Sequence, residues 1–152
     1  MKRKVRVARV QNPFILRVEG VQELLKRAFP VGGIIFPLGA EASALDIARM
    51  IAAPSSFGFF IGMEGHDFNG LAIVQLPQDT SICRPQVLHF YNSGGITLRN
   101  ALTSAVVDFV KENGYSTFLA VNGTDHRDLV WARMFRRAGA TKRVGSIMEF
   151  EV

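Results

Sequence analysis

Hydrophobic and polar positions change rhythm several times along the chain, and each change marks an element. Val5 and Val7 alternate with Arg6 and Ala8, which predicts a strand over 4–11. Asn12-Pro13 interrupts it. Val21, Leu24, Leu25 and Ala28 then recur at i, i+3, i+4 and i+7, one face of a helix over 20–29. Pro30 and Gly32-Gly33 end that helix. Residues 34–37 are short and apolar, a loop packed down on the core. Ala44, Ile47, Ala48 and Ile51 define a second helix over 41–53, stopped by Pro54-Ser55-Ser56.

From residue 57 the period becomes two. Phe57, Phe59, Ile61 and Met63 alternate with Gly58, Phe60 and Gly62, a strand pattern. Glu64 to Gly70 carries turn residues, and Leu71 to Leu76 is the second strand of an antiparallel hairpin. A loop over 77–85 leads to a third strand, 86–91. Leu98, Leu102, Ala105, Phe109 and Val110 stripe a long helix over 96–112, and Asn113-Gly114 is its stop. Another strand follows at 116–121. The strand–helix–strand run 86–121 predicts a right-handed parallel crossover. Asn122 to Arg127 reads as a polar loop, with Asp125 or Asp128 capping a helix over 128–138 that Gly139 ends. The tail, 141–152, is strand-like, with a break at Gly145. Strands and helices do not alternate throughout, so the class is α+β with a mixed sheet, not a doubly wound one.

Composition narrows the class. A chain of 152 residues is about one domain, 1–152, and 48% hydrophobic against 20% charged residues is a globular balance. No apolar run approaches the roughly 20 residues that span a bilayer. The start, Met1-Lys2-Arg3-Lys4, is basic like a signal peptide, but arginines continue where an apolar segment belongs, so export is not expected. The lone Cys83 cannot form an internal disulfide and fits a reducing, cytoplasmic setting. The net charge is +5, clustered at Lys2 to Arg9 and again from Arg127 to Arg143. Such charge attracts polyanions, yet no zinc-finger spacing or RNA-binding aromatic motif accompanies it. A solvated basic face explains it more simply than a nucleic-acid module does.

Candidate chemistry concentrates in residues 89–99, from His89 to Arg99. They read as a strand end, a glycine-bearing turn and the first turn of the long helix. A helix N-terminus offers unpaired N–H groups and the positive end of a dipole. Gly94 and Gly95 let the backbone approach a phosphate without a Cβ in the way. Arg99, one turn in, can add a charge-assisted contact. A plain strand-to-helix turn, with glycines chosen for backbone geometry, accounts for the same residues equally well. Elsewhere, His66 between Glu64 and Asp67 reads as surface turn chemistry with no metal site. His126 reads as a solvated loop residue. Cys83 beside Arg84 lacks the partners of a nucleophile, and there is no Gly-x-Ser-x-Gly elbow and no Walker loop.

The order of elements, and the residues from Gln86 to the C-terminus, resemble the GNAT-type N-acetyltransferase superfamily. The resemblance implies a mixed, mostly antiparallel sheet of about six to seven strands flanked by four helices. In that family the loop after the fourth strand holds the pyrophosphate of acetyl-CoA. Its motif is Gln or Arg, two residues, Gly, one residue, then Gly or Ala. The matching positions here are Asn92, Gly95 and Thr97, of which Gly95 alone agrees in type. A second region, Val121 to Ala140, resembles the family's Asn-containing loop and following helix. There Asn122 would face the pantetheine arm, and Phe135 stands where a tyrosine commonly protonates the departing thiolate. Ala140 replaces a usual phenylalanine.

What the resemblance implies is acetyl-CoA as co-substrate, no metal, and a primary amine of a small molecule or peptide as acceptor. The coenzyme set would be Phe90, Tyr91, Asn92, Gly94, Gly95, Ile96, Thr97, Arg99, Asn122 and Phe135. An amine must lose a proton to attack a thioester. His89 is the candidate base, because imidazole titrates near pH 6.5. A strand histidine satisfied by a backbone carbonyl is the plainer reading of the same residue. Tyr91 alternates onto the face of His89 and could donate to the leaving sulfur. The departures at Asn92, Thr97, Phe135 and Ala140 also suit a GNAT-like fold kept as a structural or interaction component, such as a viral or phage protein. An apolar edge strand would allow two copies to pair.

Overall fold

The computed structural model describes residues 3–33, 35–77, 84–121 and 147–151. Strand β1, Val5–Arg9, precedes a short 3-10 helix, Pro13–Arg17, in the stretch where Asn12-Pro13 interrupts the strand pattern. The Asn12 side chain accepts the Phe14 N–H at 3.0 Å and starts that turn. Helix α1, Glu19–Ala28, buries Val21, Leu24, Leu25 and Ala28, the face that the periodicity predicts. Glu19 lies in its first turn and Lys26 and Arg27 in its last, the arrangement that complements the helix dipole. Helix α2, Ala44–Ile51, is shorter than its 41–53 pattern and buries Ile47 and Ile51.

Strands β2, Phe57–Glu64, and β3, Asp67–Gln75, form the hairpin. The stretch expected to be all turn, 64–70, is mostly strand. Only Gly65 and His66 turn, with Gly65 at φ 62°, and Glu64 pairs with Asp67 across them. β4, Gln86–Asn92, helix α3, Ile96–Glu112, β5, Thr117–Val121, and β6, Ile147–Glu151, follow. The described strands form one mixed sheet in the order β1-β2-β3-β4-β5-β6. All neighbours are antiparallel except β4 and β5. The helix expected over 128–138 lies outside the described residues, as does the Gly145 break.

Both faces of the central strands are buried, each by its own cluster. Phe59, Ile61, Leu71 and Ile73 pack beneath α1 and α2, with Val21, Leu24, Ile47 and Ile51. Phe60, Ala72, Val74 and Val87 pack under α3, with Leu98, Leu102, Val106, Phe109 and Phe118. Side chains alternate across a pleated strand, so successive residues feed opposite clusters.

Two glycines decide how closely α3 lies on the sheet. Gly62 and Gly70 are direct cross-strand partners. A Cβ on Gly62 would stand 2.6 Å from Leu98 Cδ1, and one on Gly70 would collide with Leu102 Cδ1. The pair therefore forms a depression that receives Leu98 and Leu102, both fully buried. This seats the N-terminal half of α3, and with it the preceding turn, directly against β2 and β3.

Two ladder irregularities lie toward opposite ends of β3. Gly70 pairs with Gly62 while Phe68 pairs with Met63, so Asn69 is an extra residue in β3. Ile73 pairs with His89 while Val74 pairs with Val87, so Leu88 is an extra residue in β4. β4 pairs with β5 only through Gln86↔Leu119 and Val87↔Ala120, although β4 continues to Asn92.

Candidate functional site at the β4–α3 turn

The bulge at Leu88 sets which way the candidate site residues of β4 face. Leu88 and Tyr91 pack on the α1–α2 side, whereas Val87 and Phe90 pack on the α3 side. His89 also faces α1. Its Nε2 lies 2.7 Å from the Ala28 carbonyl oxygen, and its ring lies 4.5 Å from the Phe29 ring at an interplanar angle of 30°. Phe29 in turn meets Phe36 edge-on at 4.9 Å, which ties the α1–α2 connection to the same aromatic group.

A carbonyl oxygen only accepts, so Nε2 carries the proton and Nδ1 holds the lone pair of the neutral ring. Ala28 ends α1, and its carbonyl is among the last-turn groups that have no intrahelical donor. His89 supplies that donor. Burial pushes the imidazole below its ordinary 6.5, while the Ala28 bond pulls the other way. The ring is thus neutral near pH 7. Tyr91 shares this face, half-buried and paired across the sheet with Leu71.

Asn92 ends β4 and folds back on the turn. Its Oδ1 accepts the Gly94 N–H at 3.0 Å, and its Nδ2 lies 3.4 and 3.3 Å from the carbonyls of Gly94 and Gly95. Asn92 therefore organises the turn itself. Ser93 is fixed from outside: its N–H and hydroxyl both donate to the Asn69 carbonyl, at 2.8 and 3.2 Å.

Gly95 is the N-cap of α3, with φ −80° and ψ 178°, an extended conformation open to any residue. Its N–H points at both carboxylate oxygens of Glu64, 3.3 Å from each. Asn69 Nδ2 donates to the same Glu64 Oε1 at 3.1 Å. A Cβ on Gly94 would collide with Glu64 Oε1, stand 2.7 Å from its Cδ and 2.9 Å from Leu98 Cδ2. A Cβ on Gly95 would meet nothing nearer than 3.5 Å. The glycine that the geometry demands is therefore Gly94, whereas the motif match falls on Gly95.

The next three amides, Ile96, Thr97 and Leu98, precede the first intrahelical bond, Arg99 N to Gly95 O at 3.2 Å, and no side chain caps them. Ile96 is 58% exposed and Thr97 is exposed, whereas Leu98 is fully buried. Arg99 is partly buried. Its Nε is enclosed without a hydrogen-bond partner among the described residues.

Glu64 and Asn69 are the site residues that the sequence reading missed, because both sit in a polar stretch that reads as turn. Asn122 and Phe135 lie outside the described residues, as do Cys83 and His126. His66 is exposed in the Gly65-His66 turn. Among the described residues there is no cluster of three His, Cys, Asp or Glu side chains suited to a metal ion, and no helix long and apolar enough to cross a membrane. A separate groove of about 320 Å³ lies between α1, α2 and the 3-10 helix, lined by Leu16, Leu25, Ala44 and Ile47 with Lys26 and Glu41 among its polar residues. It shares no residue with the β4–α3 turn.

No protein-family model matches the sequence, and no curated protein does. Solved structures match it along nearly its whole length. The PaiA N-acetyltransferase from Thermoplasma acidophilum, solved with coenzyme A, is 12% identical with a TM-score of 0.65, covering 98% of this chain and 99% of that one. The GNAT domain of S. lividans PAT is 15% identical with a TM-score of 0.66, covering 97% and 89%. An aminoglycoside acetyltransferase from an uncultured soil metagenomic sample, solved with sisomicin, is 12% identical with a TM-score of 0.62, covering 92% and 91%. The chain has the fold of the GNAT-type N-acetyltransferases.

Proposed function

We propose that this protein is an acetyl-CoA-dependent N-acetyltransferase acting on a primary amine of a small molecule or peptide. The observation that carries the reading is the path of β4. It leaves β5 after two residue pairs, passes the Leu88 bulge, and runs through the glycine turn into a helix whose first amides have no acceptor within the helix. In this reading the Ile96, Thr97 and Leu98 amides and Arg99 hold the diphosphate of the coenzyme. The β4 main chain at Phe90 and Tyr91 borders its pantetheine arm, and Asn122 and Phe135 extend the same site. The coenzyme, when bound, supplies an activated thioester acyl group.

The fit to this group is incomplete at one point. The Gly95 N–H that a diphosphate would use is directed at Glu64. His89 Nδ1 is the base that removes the amine proton, on the face it shares with Tyr91, and Tyr91 is the donor to the leaving sulfur. The groove between α1 and α2, where Glu41 pairs with Lys26 at 3.5 Å, is the candidate acceptor pocket. The lone Cys83 supports action in a reducing cytoplasm.

Isothermal titration with acetyl-CoA, followed by thiol release in the presence of an aminoglycoside or a peptide amine, tests the proposal. Saturable binding and amine-dependent thiol release are expected. No binding at millimolar coenzyme refutes it. A second reading, a GNAT-fold interaction protein without catalysis, is favoured by one observation, the Glu64 carboxylate on the N-cap amide of α3.

A further inference from the structure

We propose that Glu64 is an internal competitor for the anion position at the start of α3, and that it lowers the affinity of this protein for diphosphate-bearing ligands such as coenzyme A. The inference rests on the acetyl-CoA reading above and adds a determinant to the same site. Three features hold the carboxylate in place. The Gly95 N–H is shared between its two oxygens, each at 3.3 Å. Asn69, the bulged residue of β3, donates to Oε1 at 3.1 Å while its own carbonyl binds Ser93. Gly94 leaves the space that the carboxylate enters, since a Cβ there would overlap Oε1.

Glu64 therefore sits where an incoming anion would profit most from the helix N-terminus. The described ion pairs are Arg3–Asp67, Lys26–Glu23, Lys26–Glu41 and Arg49–Asp46, so no described cation neutralises it. An incoming diphosphate meets like charge at short range, and like charges in one site disfavour each other. For the ligand to reach the Gly95 amide, the Glu64 side chain must swing out, giving up Gly95 and Asn69. The exposed Ile96 and Thr97 keep first-turn amides without an intrahelical acceptor, so the competition weakens binding and does not abolish it.

The test compares wild type with Glu64→Gln and Glu64→Ala by isothermal titration, using coenzyme A and, as a phosphate-free probe, pantetheine. Glu64→Gln keeps a carbonyl that can accept the Gly95 N–H and removes only the charge, so it serves if Glu64→Ala fails to fold. The expected result is coenzyme A affinity at least about tenfold tighter in both variants, which is about 1.4 kcal/mol, with pantetheine affinity unchanged. Equal or weaker coenzyme A binding by the variants overturns the competitor role while leaving the acetyl-CoA reading intact. A parallel gain for pantetheine also overturns it, because the effect would then not be electrostatic. No binding of coenzyme A by any of the three proteins overturns both readings.

Discussion

Seating α3 on a pair of glycines makes a quantitative prediction about core packing. Gly70→Ala drives a methyl group into Leu102 Cδ1 and to 3.3 Å from Leu98 Cδ2. Overpacking of this kind costs about 1–3 kcal/mol. Removing a glycine from a strand returns about 0.5–1 kcal/mol of backbone entropy, which leaves a net loss of about 0–2.5 kcal/mol. Leu102 is fully buried, so Leu102→Ala should cost about 2.7–5 kcal/mol through lost burial and the cavity it leaves. In the double variant the collision disappears, and the new methyl fills part of that cavity, worth about 0.8 kcal/mol for one buried carbon. The double variant should therefore be more stable than the sum of the single losses by at least about 1.5 kcal/mol, within the range for touching residues. Urea unfolding followed by far-UV circular dichroism measures this, with an unchanged m-value as the condition for comparing midpoints. For a chain of 152 residues each kcal/mol also moves Tm by about 2–4 °C. Additivity within about 0.5 kcal/mol would refute the packing argument.

Further tests address the turn and the histidine. Gly94→Ala should cost about 1–3 kcal/mol, because its methyl displaces the Glu64 carboxylate and presses on Leu98. Gly95→Ala should lose only an N-cap preference, under about 1 kcal/mol, and thermal melts showing the reverse order would contradict the assigned glycine roles. For His89 the folded-state pKa lies below the unfolded 6.5, so the unfolded chain binds more protons between the two values. Its neutral, buried form is fully compatible with folding above pH 6.5, and stability is lost as pH falls from 6.5 toward the lower folded value. His89→Gln, which keeps a donor for the Ala28 carbonyl but does not titrate, should flatten that acid limb of the Tm-versus-pH curve. Parallel curves for the two proteins would remove His89 as its cause.

Local pattern and long-range pairing account for what could be read in advance. The buried face of α1 follows from apolar spacing, as do Leu98, Leu102, Phe109 and Val110 of α3, whose buried face also takes in Thr103, Val106 and Val107 while Ala105 is only half-buried; the meander and the parallel β4–β5 pair follow from the order of elements. The hairpin boundaries did not follow, because Glu64, Asp67 and Asn69 are polar and resemble turn residues, while a ladder is defined by its partner strand. The bulges at Asn69 and Leu88 have no local signature for the same reason. The candidate turn divides similarly. Its glycines and Arg99 are evident in a short window, yet the reason Gly94 must lack a side chain lies in Glu64, 31 residues before Gly95. The partner of His89 is 61 residues away, at the end of α1. Such relations arise only when distant segments are brought together, so matching a motif position by position selected Gly95 and passed over Glu64.

The short seam between β4 and β5 also has a mechanical meaning. β1 to β4 are laced by antiparallel ladders along most of their lengths, and β5 with β6 forms its own antiparallel pair, but the two groups share only the pairs at Gln86 and Val87. Leu119 N–H to the Pro85 carbonyl at 2.8 Å adds a bond at the same place. Two residue pairs make this the weakest join in the ladder of the described strands. Under tension along the sheet the ladder should open there first, leaving the packing of Phe118 and Ala120 against α3 to hold β5 in place.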